Sequence, residues 1–407
     1  MLGLATALNS GSLKKKSVLT NKFSAELDGT GDYIDVSSLS SDLDKSAGTI
    51  SMWIKVLDTS GNESFFNCSD GSDTDNKIFL IYSTSGTKFQ AGYKFAGTSI
   101  IAAYTITHDD LTGLGWFHLA MTYNTSTPLI QLFLNGTRVA QRTTSLTTIA
   151  EDVGIDTIRL GSNSTANDTY HYGNIDEFIY IAGKDLTETE MLLLYNNGKP
   201  DDIGDLPSAI YKAIKCWLRF GEGSIDGTAD QTSVVFDNKN ATLGSELIVN
   251  GDFSTSETIT TSSHTLGWSR GGTGDTGSSI VSNQLVLHRP VGEDHDHARI
   301  YASDGSSSRN VKPSDHQGKI FRLRLDIAGN TGSGNLQVFT GGAYVNLPDS
   351  TVGTKEFYYV SDNTQLFVMK MNTEGATMTI DNVSLKQIQG NPGFCVADAT
   401  VGNVNVP

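Results

Sequence analysis

Tyr170-His171-Tyr172 is the cluster in this chain whose residue types best suit ligand binding: two aromatic rings flank an imidazole in a polar stretch. Flat aromatic faces stack on the apolar faces of sugar rings, and polar neighbours can bond the hydroxyls. Tyr344, at the end of the glycine-rich Gly341-Gly-Ala-Tyr344, is a second aromatic in a surface-type setting. Trp268, Tyr301, Phe357 and Tyr358 lie on or beside strand-like runs, where a ring is expected to be core. Support for catalysis is thin. Asp176 and Glu177 are adjacent, so on a regular strand they face opposite ways and cannot share a substrate. The sequence holds neither a Gly-x-Ser-x-Gly elbow nor a phosphate-binding P-loop. His295-Asp-His297 puts two imidazoles on one strand face beside Glu293 and Asp294, but no third transition-metal ligand stands at a suitable spacing. Cys68, Cys216 and Cys395 are far apart and fit neither a disulfide framework nor a zinc site. A non-enzymatic binding protein is therefore expected.

The elements that must position these residues are strands. Gly115-Trp-Phe-His-Leu-Ala-Met-Thr-Tyr123 and Leu132-Phe-Leu-Asn-Gly136 read as two strands, the second ending in an Asn-Gly turn. Asn-Gly tolerates the positive φ angles of a type I′ turn, whose twist suits antiparallel strands. Leu132 and Leu134 should face one side and Gln131 and Phe133 the other. Thr49–Val56 alternates with Ile50, Met52, Ile54 and Val56 on the core side. Leu186–Tyr195 is the one segment with a convincing helical period. Thr187 and Glu190 have capping-box spacing, with Gly198 and Pro200 as stop signals. Glycine is frequent (42) and proline scarce (8), which suits a turn-rich all-β protein. The net charge of −16 argues against nucleic acid or an anionic membrane as partner. No apolar run is long enough to span a membrane.

The Trp-x-His-x-Ala and Leu-x-Leu-Asn-Gly runs resemble the signature of laminin-G-like, concanavalin A-type lectin domains. Phe23–Val36 resembles that family's opening strand pair, and Gly173-Asn-Ile-Asp176-Glu-Phe-Ile-Tyr180 its closing strand. Glu246-Leu-Ile-Val-Asn-Gly-Asp252-Phe with Gly267-Trp268, and later Ile380-Asp381-Asn-Val-Ser-Leu385, resemble the start and end of jelly-roll carbohydrate-binding modules. These resemblances imply structural calcium that ties first strand to last. The ligands would be Asp28 or Asp32 with Asp176 in the first domain, and Asp381 with backbone near Asp252 in the second.

The expected organisation is an N-terminal arm over 1–20, a concanavalin A-like sandwich over 21–200 and a connector over 201–245. A jelly-roll module over 246–388 and an apolar-poor tail over 389–407 follow. The fold class is thus all-β, with two sandwiches in tandem between short terminal arms. Lectin-like domains on a chain without an evident export signal suggest a phage virion structural protein: a capsid decoration, a fibre or a tail-associated adhesin. Its expected place is the virion surface. It would be held to other virion proteins by the arm, display its domains to host or environmental glycans, and form a symmetric homo-oligomer. The alternatives are a polysaccharide hydrolase or depolymerase carrying a carbohydrate-binding module, and a cellular surface adhesin.

Overall fold

The computed structural model describes residues 19, 21–58, 61–71, 73–145, 147–150, 152–163, 169–221, 224–225, 228–229, 234–248, 250–255, 268–271, 278–292, 299–302, 318–339, 344–347, 349–361, 368–397, 399–402 and 407. Most of the expected N-terminal arm and the His295-Asp-His297 segment lie outside the described residues.

Period-2 alternation builds the first sandwich. Its strands are β1 (Ser24–Asp28), β2 (Tyr33–Asp35), β3 (Ala47–Val56), β4 (Glu63–Asp70), β5 (Asp73–Ser83), β6 (Lys88–Phe95), β7 (Thr98–Thr105), β8 (Trp116–Asn124), β9 (Leu129–Leu134), β10 (Thr137–Thr143), β11 (Thr157–Leu160), β12 (Tyr172–Ala182) and β13 (Ile214–Leu218). One sheet runs β10-β9-β8-β3-β12-β1 and ends on Thr400–Gly402, with β13 also on β12. The other runs Val234–Val235, Gly393–Val396, then β2-β11-β4-β5-β6-β7. Ile50, Met52, Ile54 and Val56 of β3 enter the core between the sheets, as their alternation predicts, together with Phe117, Leu119, Leu132 and Ile175. Asn135 (φ +50°) and Gly136 (φ +75°) form the left-handed turn expected between β9 and β10.

The outer face of the β3 sheet is covered. After α1 (His108–Gly113), which precedes β8, the short helices α2 (Glu188–Tyr195) and α3 (Ser208–Ala213) lie on this face. Met191, Leu194, Ile203 and Ile210 pack there on Ala120, Phe133, Ile179 and Trp217. The capping box of α2 is formed, with Thr187 Oγ1 accepting from Glu190 N and Glu190 reaching back to Thr187 N. The helix is closed by Asn196 at φ +42°, earlier than Gly198.

The domains are nested rather than tandem. β13, expected in a connector, completes the first sandwich: Ile214 and Leu218 lie opposite Ile181 and Phe178 of β12. The C-terminal segment, expected as a tail, supplies two strands of the same sandwich. Cys395 pairs with Ile34 of β2, and Val401 pairs with Ala25 of β1. Few residues are needed for this, because each fills a strand edge that already has an apolar bed, and an edge left open exposes unpaired backbone groups.

The second sandwich is inserted between these two parts. One of its sheets contains Thr242–Glu246, Ser279–Val281, Gln284–His288, Ile320–Thr331, Gly353–Val360 and Thr377–Gln389. The other contains Trp268–Gly271, Arg299–Ala302, Leu336–Phe339, Tyr344–Asn346 and Val368–Met371. Trp268 is fully buried in its core and donates from Nε1 to Asn250 O at 2.9 Å. The two sandwiches meet at a small apolar cluster of Val234, Phe236, Ile320, Tyr358 and Ile388.

Candidate functional site

The end of β12 forms a rim with the β1–β2 turn and the β3–β4 connection. Tyr172 begins β12 and lies opposite Asp28 of β1, while its carbonyl accepts from Leu57 N at 3.0 Å. Two glycines permit this close assembly. Gly29 sits at φ +79° in the β1–β2 turn, where a Cβ would lie 3.0 Å from Tyr172 Cβ. At Gly173 a Cβ would meet the Lys55 carbonyl oxygen at 2.0 Å. Larger residues would push Tyr172 off the rim.

The Tyr170–Tyr172 triplet splits by strand alternation. Tyr172 is 41% exposed, whereas His171 is fully buried. His171 Nδ1 pairs with Glu63 Oε2 at 2.7 Å, and its ring packs edge-on against Phe65. The same carboxylate oxygen accepts from Tyr172 N at 2.9 Å. His171 is therefore an internal brace for the rim, which corrects its expected role as a ligand contact. Tyr170 is half-buried and bridges to Ser162.

The exposed Tyr172 ring stands between two open cavities. One, of about 290 Å³, is bounded by Glu26, Asp28, Asp32, Leu57 and Asn174. The other, of about 260 Å³, is bounded by Asp28, Asp58, Asn62, Glu63 and Tyr170. Tyr172 and Asp28 belong to both. Aromatic rings in a polar stretch pointed to Tyr172. Asp58, Asn62 and Glu63 carried no signal of their own, since only the fold, which sets the β3–β4 connection and the start of β4 beside the start of β12, brings them to this rim.

Tyr344 lies on the second sandwich. Its ring touches Phe339 at 5.0 Å, and Lys370 Nζ sits over it at 3.7 Å. This is a cation–π pair on a sheet face, remote in sequence and domain from the Tyr172 rim.

In the first sandwich the expected calcium ligands do not come together. Asp28 lies opposite Tyr172, so Asp176 stands four residues further along β12, about 13 Å away at strand rise. Asp32 is turned inward on its own hairpin, where Oδ2 accepts from Asp28 N at 3.1 Å. Asp176 and Asp381 instead do the same local work on the two closing strands. Each accepts from the backbone N–H of the next residue, at 2.7 Å (Glu177) and 2.8 Å (Asn382). Those next residues sit at φ +47° and +50°, and the ladder shifts register at both places. The carboxylates cap β-bulges. Asp252 bonds within its own turn, to Ser254 N and Oγ. Among the described residues no group of three or more His, Cys, Asp or Glu is arranged to hold a metal.

The bulge also corrects the expected orientation of Asp176 and Glu177. Ile175 and Phe178 both point into the main core, so the two carboxylates between them share the outer face. Both are buried and engaged. Asp176 accepts from Asn21 Nδ2 at 2.8 Å. Glu177 accepts from Trp217 Nε1 at 2.6 Å and Arg219 Nε at 3.1 Å. The cavity beside Glu177, under α2, has about 20 Å³, room for about one water and far too little for a sugar. Ser51 Oγ and His118 Nε2 lie 2.7 Å apart on the same covered face, where burial depresses the His118 pKa to about 3. Neither pair has access to a substrate.

Residues 28–191 match the model of a family described as the concanavalin A-like lectin/glucanases superfamily (Laminin_G_3), so this segment is a concanavalin A-like domain. The match stops short of β13 and of the two C-terminal strands that complete the sandwich. No curated protein matches the chain. Solved structures similar to part of it include a sialidase CBM40 from Ruminococcus gnavus, with 16% identity over 42% of this chain and 97% of that one and a TM-score of 0.35. A pentraxin from Limulus polyphemus shares 11% identity over 46% and 88%, with a TM-score of 0.34. Domain 4 of an extracellular GH43 arabinanase from Geobacillus stearothermophilus, in complex with arabinotriose, shares 19% over 38% and 70%, with a TM-score of 0.31.

Proposed function

We propose that the rim around Tyr172 binds glycans, and that the chain is a non-enzymatic structural protein of a phage virion that displays this site. The observation that carries the glycan reading is an exposed tyrosine ring standing between two open cavities on a concanavalin A-like domain. A ring so placed offers a stacking face with polar groups on either side, the combination that fixes a sugar's orientation. The alternative surface, the outer face of the β3 sheet, is filled by α2 and α3. The non-enzymatic reading is supported by the engagement of Asp176 and Glu177 within the fold.

In the virion reading the chain sits on the particle surface as a decoration, fibre or tail-associated adhesin, held to other virion proteins through residues 1–20. A symmetric homo-oligomer would multiply weak sugar contacts by about 10²–10⁴-fold in avidity. Two experiments test the parts separately. On a glycan array the wild type should bind a defined subset and Tyr172→Ala should lose it, with an unchanged melting temperature; equal binding by the variant would end the site assignment. Mass spectrometry of purified particles should find the chain in many copies, and its confinement to soluble lysate would end the virion assignment.

A further inference from the structure

The two cavities flanking Tyr172 share one chemical character. Glu26, Asp28 and Asp32 border the first, and Asp28, Asp58 and Glu63 the second; Asp32 and Glu63 are buried in the walls, which leaves Glu26, Asp28 and Asp58 as the carboxylates open to a ligand beside the ring. Among the described residues neither cavity is bordered by a lysine, arginine or histidine. The nearby cation Arg159 is turned to other work: its guanidinium stacks over Tyr33 at 4.2 Å and donates to Asn163 O at 3.1 Å. Lys55, opposite Asn174 in the β3–β12 ladder, does not border either cavity. His171 lies behind the wall, against Glu63.

We infer that this rim selects glycans without acidic groups and excludes uronate, sialylated and sulfated chains; the inference rests on the glycan reading of the same site. The recognising element is the ring with its two cavities, and the carboxylates set what can lie there. An ionised carboxylate only accepts hydrogen bonds, so it complements a neutral sugar, whose hydroxyls donate. A ligand carboxylate or sulfate is likewise acceptor-only. It would meet like charge on both sides of Tyr172, and no cation among the described residues bordering the cavities offsets its loss of water. Asp28 bears most on the choice, because it borders both cavities and is exposed at the turn beside the ring.

The test takes the tightest neutral oligosaccharide from the array and the same oligosaccharide carboxylated at C6. Titration calorimetry at low and high salt compares wild type, Tyr172→Ala and the double variant Asp28→Asn/Asp58→Asn. The carboxylated form should bind the wild type at least about tenfold more weakly. That penalty should shrink in the double variant. It should also shrink in salt of about 1 M, where the screening length falls to roughly 3 Å. Equal or tighter binding of the carboxylated form, lost in Tyr172→Ala, overturns the selectivity while leaving the glycan site standing. If no glycan binds, or binding survives Tyr172→Ala, the glycan reading fails and the selectivity falls with it.

Discussion

Asp237 is the residue whose loss should most clearly reveal how the nested domains are joined. It is fully buried where the chain leaves the first sandwich, and it gathers both crossing segments. Its Oδ1 accepts from Trp217 N and Lys239 N, each at 3.1 Å, and its Oδ2 from Asn391 N and Asn240 Nδ2, also at 3.1 Å. Asp237→Ala leaves at least two buried backbone donors, on Trp217 and Asn391, without an acceptor. At about 1–3 kcal/mol for each unsatisfied buried group, the cost is about 2–6 kcal/mol. A domain's whole stability is about 5–15 kcal/mol, so this is a large fraction of it. In a domain of this size the melting temperature should fall by roughly 5–20 °C. Asp237→Asn keeps one acceptor oxygen and should cost about half as much. Calorimetry with guanidinium unfolding measures both. A loss below about 0.5 kcal/mol for Asp237→Ala, the scale of an ordinary surface substitution, would refute the clamp.

The same carboxyl gives a signed dependence on pH. Burial raises its pKa above the ordinary 3.8, against the pull of its four donors. The folded protein then holds this proton more tightly than the unfolded chain does. Between pH 3.8 and the raised value, wild-type stability relative to Asp237→Asn should therefore decline as pH rises. A rising difference over that window would mean that the donors outweigh burial.

Three further outcomes follow from the first sandwich. Glu177→Ala removes the buried carboxylate that accepts from the Trp217 indole N–H and pairs with Arg219; unfolding by denaturant should show a loss of about 3–5 kcal/mol. Removal of residues 392–407 takes away the strands beside β1 and β2, so the first sandwich should melt earlier and its β1–β2 amides should exchange faster with solvent. His118 should stay neutral down to about pH 3 by NMR titration, against 6.5 for an ordinary histidine; the unfolded chain takes up that proton first, so this residue contributes a loss of stability as pH falls from 6.5 towards 3.

The parts legible in the sequence are those whose physics is local. The alternation in β3 and β9, the Asn135-Gly136 turn and the Thr187–Glu190 capping box each depend on neighbours within a few residues, and each is present. The C-terminal strands were not legible. Phe394-Cys395 is too short to carry a periodic signal, and its partners in β2 lie near the other end of the chain. The rim was half legible. An aromatic triplet marks the place, but β12 begins within it, so one ring faces water and its neighbour faces Glu63. The capping role of the two Ile-Asp motifs was not legible either. Their left-handed bulge residues are Glu177 and Asn382, not the glycine that usually announces such a conformation.

The bulge at Glu177 also links the architecture to the place of binding. By shifting the ladder between Asp176 and Ile179, it divides the edge of β12. The N-terminal half pairs with β1 and the C-terminal half with β13. β13 brings Trp217 and Arg219 to Glu177 and closes the sheet beneath α2 and α3. That cover removes the broad sheet face as a sugar platform. At the other end of β12, pairing with β1 sets Asp28 opposite Tyr172 and opens a cavity on either side of the ring. One irregular strand thus fills one surface and exposes another. Restoring regular pairing at Glu177 would disturb the packing of the helices before it altered a residue of the rim.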